Sequence, residues 1–485
     1  NYFGGIGLSG NGTLFTVWTR SSTTAGDYPS SVAAYQLAGD PANSLSAAEV
    51  LAAGTGTYPG TRWGDYVGVA QDPQVPNAVW QANQYSAGAS WWATHVSQLQ
   101  TGGSSYVPIV PLRVVDSRTN VGVTGIFTAS VPKTFQVAGT GTIPADAIAV
   151  TGNVTVTGQT AAGFVAITPT ATATPPSSTM NFPLGDTRAN NFTASLDATG
   201  KLAAVYKAAA GKKAHVIVDI TGYFLAGDED ATYTTTDPIR VMDTRPTSHI
   251  GTATIFQTGV SQTLSIAGAN GIPANATAIT GNLTVVGQTK AGYLSVTPDP
   301  PVGIPSSSTL NFPLGDVRAN GLTADLNASG DLSITYTAAA GATTHVLLDI
   351  TGFYVEADAG GLLFYPLNPG RVVDSRSGAK LTAIVGAFSS SVPETAEVGG
   401  HWGVLAGAEA ITGNLTVVGQ TAAGFVAITP TPVASPTTST LNFPLGDIRA
   451  NGVTVPLAAN DLSLVYKATA GKTTHLLLDV TGYFK

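Results

Sequence analysis

One stretch of this chain is written three times at a fixed interval. His215-Val216-Ile217-Val218-Asp219-Ile220-Thr221-Gly222-Tyr223-Phe224 returns as His345-Val346-Leu347-Leu348-Asp349-Ile350-Thr351-Gly352-Phe353-Tyr354. It returns again as His475-Leu476-Leu477-Leu478-Asp479-Val480-Thr481-Gly482-Tyr483-Phe484. The interval is 130 residues both times. A fixed period of that size decides the architecture before any local pattern does. It implies three copies of one domain, over residues 107–226, 234–356 and 364–485, behind a head of residues 1–106. A chain of 485 residues is in any case too long for one hydrophobic core.

Other signposts recur inside each copy. Arg113-Val114-Val115-Asp116-Ser117-Arg118 opens the first, and Arg240-Val241-Met242-Asp243-Thr244-Arg245 and Arg371-Val372-Val373-Asp374-Ser375-Arg376 open the others. Gly152-Asn153-Val154-Thr155 and its two echoes follow, and then Asn181-Phe182-Pro183-Leu184-Gly185-Asp186 with Arg188-Ala189-Asn190. Short apolar runs broken by Gly, Pro and Asn, with no window of helical period, predict about seven or eight strands per copy and hence a β-sandwich. In the closing stretch Val216, Val218 and Ile220 share one face, which must point into a core. The linkers Ala226–Thr232 and Glu356–Gly361 are short and acidic, which predicts a semi-rigid string of beads.

The head reads as strands. A hairpin over Gly4–Thr19 would turn at Ser9-Gly10-Asn11-Gly12, and further strands are expected at Ser31–Leu37, Arg62–Ala70, Val79–Asn83 and Trp91–Val96. Gln100–Ser105 is a linker by composition. The fold class is therefore all-β: a sheet-built head followed by three tandem sandwiches.

Two resemblances sharpen this. The R-V-x-D-[ST]-R opening, the G-N-x-T strand, the N-F-P-L-G-D-x-R-A-N stretch and the H-x-x-x-D-[IV]-T-G-[FY] close resemble a β-domain of secreted and cell-surface bacterial proteins, of actinobacterial and Chloroflexi type. The match spans about three quarters of the chain. It implies an extracellular domain, commonly downstream of a catalytic or propeller module, and no defined activity. In the head, Ser9-Gly10-Asn11-Gly12-Thr13, Arg62-Trp63-Gly64-Asp65-Tyr66 and Pro76-Asn77-Ala78-Val79-Trp80 resemble the last blades of a sialidase-like β-propeller. A propeller needs at least four blades, and the head holds about two. The chain is therefore expected to be cut from a longer precursor, as its start at Asn1 rather than Met also suggests, and the head to pack on a repeat or on another subunit.

Composition excludes several functions. Cysteine is absent, which rules out disulfides, thiol catalysis and Cys-ligated metals. The net charge is −8 with no Lys/Arg cluster, so no nucleic-acid partner is expected. No apolar run is long enough to span a membrane as a helix. Charged residues make up 10 % of the chain, so those that recur in every copy are informative.

Those repeated charges are Arg113, Asp116, Arg118, Asp186, Arg188 and Asp219, with Arg240, Asp243, Arg245, Asp316, Arg318 and Asp349, and with Arg371, Asp374, Arg376, Asp447, Arg449 and Asp479. Asp116, Asp186 and Asp219 could serve glycoside hydrolysis as a carboxylate cluster. The favoured expectation is a structural network, because an arginine is at hand for each carboxylate. His215 and Asp219 stand roughly 13 Å apart along a strand, too far to share a metal, so His215, His345 and His475 are expected to bond loops. No Ser-His-Asp pattern, phosphate loop or zinc helix occurs, and no cofactor is expected. A Lys–Asn crosslink common to all copies is excluded, since Lys290 aligns with Ala161 and Ala422.

Asn11, Asn153, Asn282, Asn414, Asn191, Asn275 and Asn327 each begin an Asn-x-Ser/Thr sequence, and Asn191, Asn275 and Asn327 are the candidates for sugar attachment. In the head, Trp63, Tyr66, Trp80, Tyr85, Trp91 and Trp92 could stack on sugar or form an interface, with core packing expected for most of them; the adjacent Trp91 and Trp92 face opposite sides of a strand, so at least one of them is expected to be exposed or in an interface. The first functional expectation is a non-catalytic extracellular structural protein whose partners are copies of itself, in a filament, sheath or surface layer. The alternative is a cell-wall or polysaccharide-binding tail of a secreted hydrolase.

Overall fold

The computed structural model describes residues 2–10, 12–37, 44–60, 63, 67–73, 75–356, 360–376 and 384–485, with side chains from Gly4 onward. The head motif residues Arg62, Gly64, Asp65 and Tyr66, the Asn11 sequon and linker residues 357–359 lie outside these. The fold is all-β, and no helix among the described residues is long and apolar enough to cross a membrane. The chain divides into two compact units, Asn1–Gly102 with Leu196–Gly200, and Gly103–Ser195 with Lys201–Lys485.

In the first unit β1 (Tyr2–Leu8), β2 (Leu14–Arg20), β3 (Ser30–Gln36) and β4 (Glu49–Ala52) form one antiparallel sheet in chain order. The turn expected between β1 and β2 is present: Gly12 N donates to Ser9 O at 3.0 Å, with Gly12 at φ 85°. Alternation in β2 buries Phe15, Val17 and Thr19 and leaves the intervening residues half-buried. β4 gave no sequence signal, being four residues long and only partly covered. A second sheet runs β5 (Gly68–Gln71), β6 (Ala78–Gly88) and β7 (Trp91–Gln100). The sheets are tied where Ser86 N donates to Pro29 O at 2.8 Å and Thr19 Oγ1 donates to Asn83 Oδ1 at 3.3 Å.

In the second unit each repeat has the same build. An opening strand (Ser104–Asp116, Ala231–Asp243, Phe364–Asp374) pairs with a closing strand (Lys213–Ala226, Thr343–Glu356, Thr473–Phe484). The closing strand pairs with an inner strand (Ala149–Thr157, Ala276–Val286, Ala410–Val418), and that with an axial strand (Arg188–Ser195, Arg318–Asp325, Arg449–Pro456). A separate four-stranded sheet forms the other layer of each repeat, in repeat 1 Lys133–Gln136, Lys201–Lys207, Gly163–Thr168 and Met180–Phe182. Val216, Val218 and Ile220 are buried, as their shared face requires.

The beads on a string do not exist. The three large sheets are continuous, joined at Ala231↔Tyr106 and Phe364↔Ser104 into one fifteen-stranded sheet. The three axial strands also pack on one another, and every residue of Arg188–Ser195 is buried. A short acidic linker limits reach, but it does not stop neighbours from docking face to face. Apolar and amide groups on the second face of each large sheet make docking the stable outcome. The repeats thus close around a pseudo-threefold axis.

At one end of that axis lies a closed ring of six aromatic side chains. Tyr106, Tyr354, Tyr233, Phe484, Phe364 and Phe224 follow one another, with ring centroids 4.2–4.3 Å apart between repeats and 5.0–5.2 Å apart within a repeat. All six are at most 2 % exposed. Aromatic pairs at such distances contribute about 0.5–1.5 kcal/mol each beyond the area they bury. The T-G of each closing motif has its reason here. A Cβ on Gly222 would sit 2.0 Å from Tyr106 Oη, and one on Gly482 would sit 2.2 Å from Phe364 Cε2.

A protease site inserted between the exposed Asp228 and Glu229 tests this closure. After cleavage, the two fragments are expected to co-elute in size-exclusion chromatography without denaturant. Independent beads would separate.

Candidate functional site: an axial bowl above a closed ring of charges

The end of the axis away from the aromatic ring is built from the N-F-P-L-G-D-x-R-A-N loops. Inner-strand register places it: Val156 pairs with Arg188, whereas Ala149 pairs with Ser195 and Phe224. Seven residues of strand separate the two ends, roughly 23 Å.

Each arginine of these loops is shared between two repeats. Arg188 Nη2 donates to Asp186 at 2.6 Å and to Asp447 at 2.8 Å. Arg318 Nη2 meets Asp316 at 2.6 Å and Asp186 at 2.7 Å. Arg449 Nη2 meets Asp447 at 2.6 Å and Asp316 at 2.8 Å. Six charges thereby alternate around the axis with none left over. Each arginine also donates to the carbonyl of the Asn that opens its loop, Asn181, Asn311 or Asn442, at 2.8 Å. Burial works to raise the Asp186 carboxyl, and Arg318 and Arg188 beside it hold it below the usual carboxylate range. Buried ion pairs persist only with this degree of pairing and hydrogen bonding.

One layer deeper, amides replace charges. Asn320 Nδ2 donates to Asn153 Oδ1 at 3.0 Å, Asn451 to Asn282 at 2.9 Å and Asn190 to Asn414 at 2.9 Å, each across a repeat boundary. The G-N-x-T asparagines return the contact, Asn153 to Ser308 O, Asn282 to Ser439 O and Asn414 to Ser178 O, at 2.6–2.7 Å. On the axis itself the strands come very close. A Cβ on Gly321 would lie 2.0 Å from Gly452 O, and one on Gly452 would lie 2.2 Å from Asn191 O. Asn191 occupies the corresponding place in repeat 1 and fills the only room for a side chain.

Above the ring the loops enclose an open bowl of about 1260 Å³. Its rim carries Leu184, Leu314 and Leu445, each 62–63 % exposed. Gln159, Gln288 and Gln420 hold the loops up, each Nε2 donating to a Pro and an Asp carbonyl of its own loop at 2.7–3.0 Å.

The remaining repeated charges form a second network inside each repeat. Arg113 grips Asp219 through Nε at 2.9 Å and Nη2 at 3.1 Å, and Arg240 with Asp349 and Arg371 with Asp479 do the same at 2.8–3.1 Å. Arg118, Arg245 and Arg376 pair with Asp116, Asp243 and Asp374 at 2.6–2.7 Å. Burial pushes the Asp219, Asp349 and Asp479 carboxyls up, against the pull of their arginines. Asp116 and Asp374 are held low, chiefly by hydrogen bonds from Arg118 and Arg376. Burial works to raise Asp243, and hydrogen bonds from Arg245 and Ser248 bring it down to about 2. The imidazoles of His215, His345 and His475 meet Ser117, Thr244 and Ser375 at 3.1–3.2 Å. A catalytic cluster of Asp116, Asp186 and Asp219 is not assembled: Asp186 belongs to the axial ring, and the other two belong to the network within the repeat.

Two further expectations change. Asn191 is no sugar acceptor in the fold, because it is buried on the axis with its amide donating to Gly152 O at 3.1 Å. Asn275 is exposed, and Asn327 donates to Asp299 at 2.8 Å while closing a turn. Core packing fails for Trp80, and of Trp91 and Trp92 both are uncovered where one was expected to be. Trp91 and Trp92 are 74 % and 51 % exposed, because they begin the edge strand β7, and Trp80, on the central strand β6, is 47 % exposed. Trp63 is partly covered and meets Tyr58 edge-on at 5.2 Å. Loop bonding was expected of Asn153, Asn282 and Asn414, but their reach into the next repeat, their partners Asn320, Asn451 and Asn190, and the glutamine contacts were missed, although these residue types recur in every repeat.

No protein-family model matches the chain, and no curated protein matches it.

Two measurements probe the networks. Arg318→Met leaves Asp186 and Asp316 without their shared counter-charge and is expected to cost about 3–5 kcal/mol in denaturant unfolding. For acid, the depressed pKa of Asp243 sets the sign. Its stabilisation is complete above the unfolded value of 3.8 and is lost as pH falls toward about 2. The Tm difference between the native chain and Asp243→Asn is therefore expected to stay level down to pH about 4 and to shrink below it.

Proposed function

We propose that the chain is a non-catalytic structural protein of the cell surface or extracellular space, and that it assembles with copies of itself into a filament, sheath or surface layer. One observation carries this reading: all nine repeated carboxylates are ion-paired to arginine, in networks that hold strands or whole repeats together. Acid–base hydrolysis needs a carboxyl pair flanking a substrate, one of them poised to give up a proton. Carboxylates clamped by guanidinium groups serve rigidity instead. The sparse surface charge and the apolar rim of the bowl suit close approach between subunits.

A polysaccharide-binding role has one observation in its favour, the exposed Trp80, Trp91 and Trp92 of the head. Such rings stack on sugars as readily as on protein.

Negative-stain imaging of the native material, with mass determination in solution, separates these readings. Long regular polymers are expected. A dispersed monomer retained on cell-wall polysaccharide would replace the first reading with the second.

A further inference from the structure

The bowl and the head each carry uncovered apolar surface. The bowl is larger and more open than a small-molecule pocket, at about 1260 Å³ against roughly 300–1,000 Å³. Its rim is three leucines with Ile448, which is 46 % exposed. Its floor is the charge ring, and there the carboxylates are the more open partners. The side chains of Asp186, Asp316 and Asp447 are 12–13 % exposed, and those of the three arginines 2–3 %. Such a floor disfavours anions and offers acceptors to a neutral donor. An apolar occupant that donates an N–H suits such a floor, and an uncharged one leaves the balanced ring as it is.

The chain presents such a group. The β6–β7 hairpin ends in Gly88-Ala89-Ser90-Trp91-Trp92, and both tryptophans are exposed. An indole N–H donates and accepts nothing. No Asp, Glu, Lys or Arg lies between Asp72 and Arg113, so the hairpin can be buried without stranding a charge.

We propose that the bowl is the socket for the β6–β7 hairpin of a second copy of this chain. This rests on the self-assembly reading above and names the surfaces that carry it. Socket and plug are different patches, so the contact is heterologous and each added copy exposes a fresh socket. A heterologous contact that does not close into a ring gives a filament with two different ends.

The cysteine-free chain allows a clean test. Full-length Leu445→Cys and Trp91→Cys chains are co-expressed and oxidised. A disulfide requires Cβ atoms about 3.5–4.5 Å apart, so it reports direct contact. The expected result is a disulfide-linked dimer absent from the control pairing Val302→Cys with Trp91→Cys, Val302 being fully exposed elsewhere. Trp91→Ala is expected to abolish long polymers while leaving the thermal melt unchanged. Native polymers with no dimer above the control, and with Trp91→Ala polymers of normal length, overturn the socket but leave self-assembly standing. A monomeric native chain with no crosslink overturns both. Loss of polysaccharide retention in Trp91→Ala, without a crosslink, gives the tryptophans to sugar instead.

Discussion

Three arginines, each held by its own aspartate and by a neighbour's, set the geometry of the repeat core. A guanidinium presents donors in a rigid planar fork, so two carboxylates on one side of it must lie at fixed angles. Around the axis this condition is met three times, and meeting it twice places the third. The asparagine layer beneath and the aromatic ring at the far end then fall into register along the same strands. Polar contacts of this kind add little net free energy over an apolar core, but they penalise every misaligned arrangement heavily, because a slipped strand strands a buried charge. The apolar surfaces supply the driving force, and the ring selects one way of satisfying it.

The same economy bears on chemistry. A hydrolase needs carboxyl groups that can exchange protons with a substrate, and a metal site needs ligands free to turn inward. Here each repeated carboxylate is already committed to arginine, and each repeated imidazole to the hydroxyl just after the opening strand.

Much of the fold was legible because repetition is a strong signal. The period of the His-led closing motif marked three copies of one strand pattern, and strand alternation in it marked a core face. The pairing of Arg118 with Asp116 could be read from their closeness in sequence. Sharing between Arg318 and Asp186 could not, because a repeated residue has the same sequence context whether its partner lies in its own copy or the next. The bead-like expectation failed for that reason. Asn191 was misread because a sequon records three residues and says nothing about an axis. For Trp91 and Trp92 strand alternation required opposite faces and so left one of them uncovered, but it could not show that at the start of β7 neither face is covered.

The crowding at Gly321, Gly452 and Asn191 has a consequence for how such a body can be made. Three separate identical chains would have to place the same residue at that point, and the axis has space for one side chain, so each of them would need glycine there. Joining the copies covalently lifts that restriction. Once the positions belong to one chain, they can differ, and the amide of Asn191 can reach Gly152 at a place that strict symmetry would leave bare. The tandem arrangement is thus more than a way of keeping three domains together: it lets the centre of the molecule be asymmetric.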